Sequence, residues 1–76
     1  MPGPMDQEML KRHLAEAEEH IATGEKNIAR QRDVIAQLER DGHDTASART
    51  FLREFEQLQA LHIAERDGLL RELSEL

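Results

Sequence analysis

The stretch Asp41-Gly42-His43-Asp44-Thr45 lies near the middle of the 76-residue chain and separates two segments of similar character. Gly42 stands where the end of a helix favours a residue in the left-handed backbone region, so it predicts a helix C-terminus. Asp44 or Thr45 can accept a hydrogen bond from the free backbone amides that open the next helix. A helix end and a helix start this close together predict a reversal of the chain and therefore two antiparallel helices.

The segment before the turn has the composition and spacing of a long amphipathic helix. Residues 5–40 consist mainly of Ala, Glu, Arg, Lys, Gln, Leu and Ile, most of which favour helix. We predict a helix over about residues 5–40 with Asp6 as its N-cap. A heptad rhythm keeps one stripe of this helix facing a partner helix. The predicted stripe is Leu10, Leu14, Ala17, Ile21, Gly24, Ile28, Gln31, Ile35 and Leu38.

The segment after the turn predicts a second helix, over about residues 46–75, with a broader apolar arc. Such an arc is wider than the narrow seam of a two-stranded coiled coil. Leu52, Ile63 and Leu70 widen the face on one side, and Leu61 widens it on the other. The face itself, with side chains placed at about 100° per residue, consists of Phe51, Phe55, Leu58, His62, Leu69, Leu73 and Leu76.

Folding the chain at the turn predicts which residues of the two helices meet. If Leu38 faces Ala48, then Gln31 lies beside Phe55 and Gly24 lies opposite His62. A glycine inside a helix costs about 1 kcal/mol relative to alanine. A glycine at this position would be favoured despite the cost if it leaves room for the His62 imidazole. We therefore treat Gly24 and His62 as a packing pair.

The width of the apolar arc predicts an all-α assembly larger than one hairpin. Two packed helices leave much of each helix in water, and the surplus apolar side chains indicate where more surface is buried. We expect a homodimer in which two hairpins form an antiparallel four-helix bundle with two-fold symmetry. A groove on a different protein and a marginally stable monomer are the alternatives. The residues expected at the interface are Leu52, Phe55, Ile63, Leu70, Leu73, Ile28 and Ile35.

The composition argues against several classes of function. The absence of cysteine excludes disulfides and thiolate metal sites and fits a cytoplasmic protein. A formal net charge of −6, with ten Lys and Arg residues scattered among sixteen carboxylates, argues against nucleic-acid binding. No apolar run approaches the ~20 residues of a membrane span, and the polar faces are not basic enough for a membrane-surface helix. Residues 1–4 hold two prolines and a glycine, which predict a disordered N-terminal segment without signal-peptide features.

The four histidines and Arg66 are the candidates for a functional site. His13 and His20 share a helix face near Glu16, but two helical turns, about 10 Å, separate the histidines, too far for both to bind one ion. His62 interrupts the apolar face, either as a half-buried core histidine or as a pH-sensitive packing switch. Arg66 also falls within the arc, and it either extends along the seam or pairs with a carboxylate of a second subunit.

No catalytic motif occurs in the sequence. It contains neither a glycine-rich phosphate loop nor a Ser-His-Asp set in a recognisable context. We therefore predict no enzyme activity, no cofactor and no metal site. The function that remains is a small helical interaction or oligomerisation protein, such as a regulatory or adaptor subunit. The alternative is a metal-binding or enzymatic helical bundle that uses His and Glu residues.

The turn and the helix after it carry a resemblance to a known group. The residues concerned are the segment 39–45, Phe55-Glu56, His62, Arg66-Asp67 and Leu69-Leu70. They resemble short bacterial helical-hairpin proteins with a Gly-His-Asp-Thr turn, over most of residues 9–73. The resemblance implies a helical hairpin. It implies no activity, because no function is assigned to that group.

Overall fold

The computed structural model describes residues 4–76, with side chains from Asp6 onward. α1 spans Pro4–Arg40 and α2 spans Ala46–Ser74. The two helices pack against each other as an antiparallel hairpin, and no strand occurs among the described residues. The rod measures 60 × 14 × 14 Å between Cα atoms. The all-α, two-helix fold predicted from the sequence is confirmed.

The start of α1 differs from the prediction, which placed residues 1–4 in an irregular segment and the N-cap at Asp6. The first three of these residues lie outside the described part of the chain. Pro4 is the first residue of α1, where proline fits because its fixed φ suits a helix and the first turn needs no backbone N–H. Asp6 lies inside the first turn, so its carboxylate stabilises the positive end of the helix dipole instead of serving as N-cap.

The turn adopts the conformation that Gly42 predicts. The φ of Gly42 is +74°, in the left-handed region that favours glycine. The backbone N–H of His43 donates to the Leu38 carbonyl at 2.9 Å, and that of Gly42 donates to the Glu39 carbonyl at 3.1 Å. Together these two hydrogen bonds form a Schellman motif, which satisfies carbonyls that the end of a helix leaves without partners.

Asp44, and not Thr45, supplies the side-chain cap of α2. The Asp44 carboxylate accepts a hydrogen bond from the Ala46 N–H at 3.0 Å, whereas the Thr45 side chain makes no cap hydrogen bond. The Thr45 hydroxyl instead accepts one from Arg49 Nε at 3.0 Å. Arg49 also forms an ion pair with Glu39. The first turn of α2 is therefore bound to the last turn of α1.

The stripe predicted for α1 is confirmed, because each of its nine residues is buried or half-buried. Ala17, Ile21 and Ile35 are the buried apolar residues of the described chain. This interior is thin, since two helices enclose only one row of side chains between them. The fold therefore leaves much apolar surface outside.

The face that α2 turns toward α1 is confirmed in part, because Phe55, His62, Leu69 and Leu73 are half-buried. Phe51, Leu58 and Leu76 were expected on the buried face, but they are exposed by 54%, 51% and 52%. The residues of α2 that face α1, here called its seam, include two polar ones, Gln59 and Arg66. A pattern of apolar residues alone selects Leu58 instead. In full, the seam consists of Ala48, Leu52, Phe55, Gln59, His62, Arg66, Leu69 and Leu73.

The register differs from the predicted one by about one helical turn. The space beside Gly24 is filled by Gln59 and not by His62, which lies three residues further along α2. The prediction that Gly24 packs against the His62 imidazole is therefore wrong. The Gln31 side chain, which was expected beside Phe55, donates to the backbone carbonyl of Ala48 at 2.9 Å, so its partner is shifted in the same direction. A shift of one turn preserves the antiparallel arrangement and changes every pair of facing residues.

Gly42→Ala should lower the free energy of unfolding by about 1 kcal/mol, because a residue with a Cβ is strained in the left-handed region. Beyond its two chain neighbours, a Cβ at this position would meet nothing within 4 Å, so strain alone should set the loss. Urea denaturation at a fixed protein concentration measures it. Gly42→Asn should lose less, because Asn tolerates this conformation. An unchanged unfolding midpoint for Gly42→Ala would contradict the Schellman geometry.

Candidate functional site

A notch of about 140 Å³ opens between α1 and α2 near the middle of the rod. It is lined by His20, Thr23, Gly24, Asn27, Phe55, Leu58, Gln59 and His62. Among these described residues none is Asp, Glu, Lys or Arg, although a third of the chain is charged. The notch is therefore a charge-poor region that combines imidazoles, carboxamides and a hydroxyl with apolar side chains.

Gln59 is the polar side chain that α2 buries between the helices. It is 8% exposed, and its Nε2 donates to the backbone carbonyl of Ile21 at 2.9 Å. A Cβ on Gly24 would overlap Gln59 Oε1, so glycine is the residue that leaves room for the carboxamide. Oε1 has no hydrogen-bond partner in the part of the chain that the structure describes. Gln59 thus fixes how the helices approach while leaving one buried acceptor unsatisfied, which is destabilising.

His20 and His62 face each other at the same notch. Their ring centroids are 4.8 Å apart, and their planes are tilted by 46°. His62 is half-buried in the seam of α2, whereas His20, which precedes the seam residue Ile21, is exposed. The sequence did not predict this pair, because the expected register set His62 opposite Gly24, one turn further along α1. Stepping the seam of α2 by heptads from Ala48 would have placed Gln59 in it, but the histidine pair also depends on the register, which the sequence pattern did not indicate.

His13 and Glu16, which the sequence analysis considered together with His20, are exposed on the surface of α1. His43 is exposed in the turn. Within residues 4–76, no three His, Cys, Asp or Glu side chains are arranged to hold a metal ion. The ligand set that the notch offers is therefore the two imidazoles of His20 and His62.

Arg66 pairs with a neighbour on its own helix. Its Nε and Nη2 each lie 3.1 Å from Asp67 Oδ1, and its side chain is 35% exposed. The guanidinium therefore reaches the edge of the seam, as one of the two sequence hypotheses stated. Pairing with a carboxylate of a second subunit stays a prediction.

Most of the residues predicted at the dimer interface lie between the two helices of a single chain. Those that are buried or half-buried are Ile28, Ile35, Leu52, Phe55 and Leu73. Ile63 and Leu70 are exposed by 36% and 46%. Of the seven expected residues, Ile63 and Leu70 therefore remain open to a partner, together with apolar side chains that were not predicted at the interface.

One long edge of the hairpin is apolar near the turn and the notch. Phe51 and Leu58 each precede a seam residue of α2, and Leu61 lies one turn after Leu58 on the same side. Val34 precedes the seam residue Ile35 and occupies the equivalent position on α1. All four are exposed. We call Val34, Phe51, Leu58 and Leu61 the apolar edge.

The opposite edge is charged. Its residues each follow a seam residue, and the Glu39–Arg49 ion pair lies on it. Ile63 and Leu70 lie along this edge too, in line with Arg49 at steps of seven residues. We call the charged residues of this side the charged edge: Glu18, Glu25, Arg32, Glu39, Arg49 and Glu56.

The chain matches no known protein family, no curated protein and no solved structure. The resemblance to short bacterial helical-hairpin proteins therefore stays a prediction. Neither helix within residues 4–76 is both long and apolar enough to cross a bilayer.

The effects of Gly24→Ala and Gln59→Ala on the free energy of unfolding should depart from additivity by about 1 kcal/mol or more in a double-mutant cycle. In the native background, alanine at position 24 gains helix propensity but displaces the Gln59 carboxamide from its hydrogen bond to Ile21. In the Gln59→Ala background the same substitution meets free space and should stabilise the hairpin by up to ~1 kcal/mol. Urea denaturation of the four proteins measures the coupling.

Gly68→Ala is the matched control for this cycle. Gly68 is also a helical glycine, but its Cβ would meet only the Arg71 guanidinium, at 3.7 Å. The substitution should stabilise both backgrounds equally, by roughly 0.5–1 kcal/mol. Equal effects of Gly24→Ala with and without Gln59 would show that the two residues do not determine each other's packing.

Proposed function

We propose that the chain is a small helical interaction protein that works as a homodimer, in which two hairpins pack as an antiparallel four-helix bundle. The observation that carries the proposal is the apolar edge, where Phe51, Leu58 and Leu61 are exposed by 54%, 51% and 68%. Large apolar side chains clustered within about three turns of one helix are typical of surfaces that bind another protein.

The accessible surface of the hairpin supports a second copy as the partner. The hairpin exposes 5837 Å², whereas a compact folded monomer of 8.7 kDa exposes about 4,700 Å². The excess of about 1,100 Å² is close to the ~800 Å² that each partner buries in a standard interface. Covering one side of each rod with another rod would therefore remove most of this excess.

The rotation of α2 supports the same assembly. Gln59 and Arg66 occupy its seam, while the neighbouring Leu58 is exposed. A pattern that served only a two-helix rod would place the leucine inside and the polar residue outside. The apolar side chains of α2 instead cover both the face that contacts α1 and the neighbouring apolar edge. A helix in a four-helix bundle needs this arrangement because it packs against two neighbours.

The distribution of charge favours the apolar edge over the charged edge as the contact between copies. Burial of the charged edge would remove water from many ionised groups, among them the Glu39–Arg49 ion pair, and desolvation of such groups is costly. The apolar edge borders the charge-poor notch. In a two-fold contact each copy presents the same surface, and the four uncharged side chains of the apolar edge are self-complementary. We place this homodimer, as a regulatory or adaptor subunit without catalytic activity, in the cytoplasm.

Leu58→Glu should raise the dissociation constant of the dimer by about 100-fold or more, because each copy would bury a carboxylate in place of a leucine. Sedimentation equilibrium over a range of protein concentrations measures this change, and the native chain should show twice its mass of 8.7 kDa. Leu61→Glu should act in the same direction.

Leu70→Glu is the matched control, since Leu70 is an exposed leucine of α2 that lies along the charged edge. This variant should remain a dimer. A native chain that sediments as a monomer at every concentration, yet unfolds cooperatively, would refute the proposal. Dissociation by Leu70→Glu but not by Leu58→Glu would move the contact to the other edge.

A further inference from the structure

His20 and His62 bring two imidazoles together from opposite helices of one chain. Their ring centroids lie 4.8 Å apart. His20 is exposed and His62 is half-buried, and both line the notch, so an ion can reach the rings without unfolding of the hairpin. The volume of about 140 Å³ leaves room for an ion and several water molecules.

We propose that His20 and His62 bind one divalent late transition-metal ion, of the class of Zn²⁺, Ni²⁺ and Cu²⁺, between α1 and α2. An imidazole nitrogen binds such an ion at about 2.0–2.1 Å, which sets the centre of the ring about 3.2 Å from the metal. Two imidazoles at an angle of about 90–109° around the metal then have ring centres about 4.5–5.2 Å apart. The observed separation of 4.8 Å falls inside this range.

The groups around the two rings select the class of metal. Mg²⁺ and Ca²⁺ prefer sites built from carboxylate and other oxygen ligands, and no Asp or Glu is among the described residues that line the notch. Imidazole suits Zn²⁺, Ni²⁺ and Cu²⁺. Thr23 and Asn27 also line the notch, where their polar side chains can accept or donate hydrogen bonds to water molecules that complete the coordination of the ion.

The ion would join the two helices at the middle of the rod. His20 and His62 are 42 positions apart in the sequence, so they are neighbours only in the folded hairpin. A ligand that binds the folded chain and not the unfolded chain raises stability by mass action. Both ligands belong to one chain, so the site does not need a second copy to form. Leu58 of the apolar edge also lines the notch, so the proposed contact between copies lies beside the site.

Thermal unfolding of the full, untagged chain, followed by circular dichroism, tests the proposal. Zn²⁺ at ten times its Kd should raise Tm by roughly 5–10 °C above that of the chain in EDTA, whereas Mg²⁺ should leave Tm unchanged. Equilibrium dialysis should find one Zn²⁺ per chain, and Cu²⁺ should bind more tightly than Zn²⁺.

His20→Gln and His62→Gln should each weaken Zn²⁺ binding at least ~10-fold and remove most of the rise in Tm. His13→Gln and His43→Gln are matched controls, since both histidines are exposed and lie outside the notch, and they should keep the full rise. His20→Gln decides the test even where His62→Gln impairs folding, because His20 is exposed. The absence of any rise in Tm with Zn²⁺, or an equal loss in the two control variants, would overturn the proposal.

Discussion

The Gln59 carboxamide, packed against Gly24 and hydrogen-bonded to the Ile21 carbonyl, is the constraint on which the rest of the structure depends. A buried amide keeps its hydrogen bond at only one rotation and one axial position of α2, because any slip leaves its donor without a partner in a water-poor interior. Contacts between apolar side chains tolerate such slips better, since they have no preferred direction. Together with the hydrogen bond from the Gln31 side chain to the Ala48 carbonyl, the Gln59 contact selects one register among those that the apolar residues alone would allow.

The division of apolar side chains between interior and edge follows from that register. When Gln59 faces α1, the preceding residue Leu58 lies about 100° away around the helix and comes to the apolar edge. The axial position that the same contact fixes brings His62 toward His20 instead of toward Gly24. The surface proposed for the second copy and the site proposed for a metal ion thus depend on the same carboxamide.

α1 and the turn could be predicted from the sequence because each rests on local information. The stripe of α1 has no competing stripe in that helix, and Gly42 lies between two segments of strong helix formers. The face of α2 could not be predicted in the same way. Two stripes are available there, one through Leu58 and one through Gln59, and hydrophobicity favours the first. The choice is made by the fit of Gln59 to Gly24, 35 positions away. An error of one turn in register also concealed the neighbouring histidines, which is why the notch was not predicted.

A chain that reverses once places its most local and its most distant contacts at opposite ends of the rod. Glu39 and Arg49, ten residues apart, meet beside the turn, whereas Asp6 and Leu76 line one pocket at the far end. Loop-closure entropy rises with the length of chain enclosed, so contacts far from Gly42 are the most costly to form from the unfolded chain. The two helices should therefore separate first at the end of the rod where Asp6 and Leu76 line one pocket. Backbone amides should exchange with solvent more slowly toward the Schellman turn.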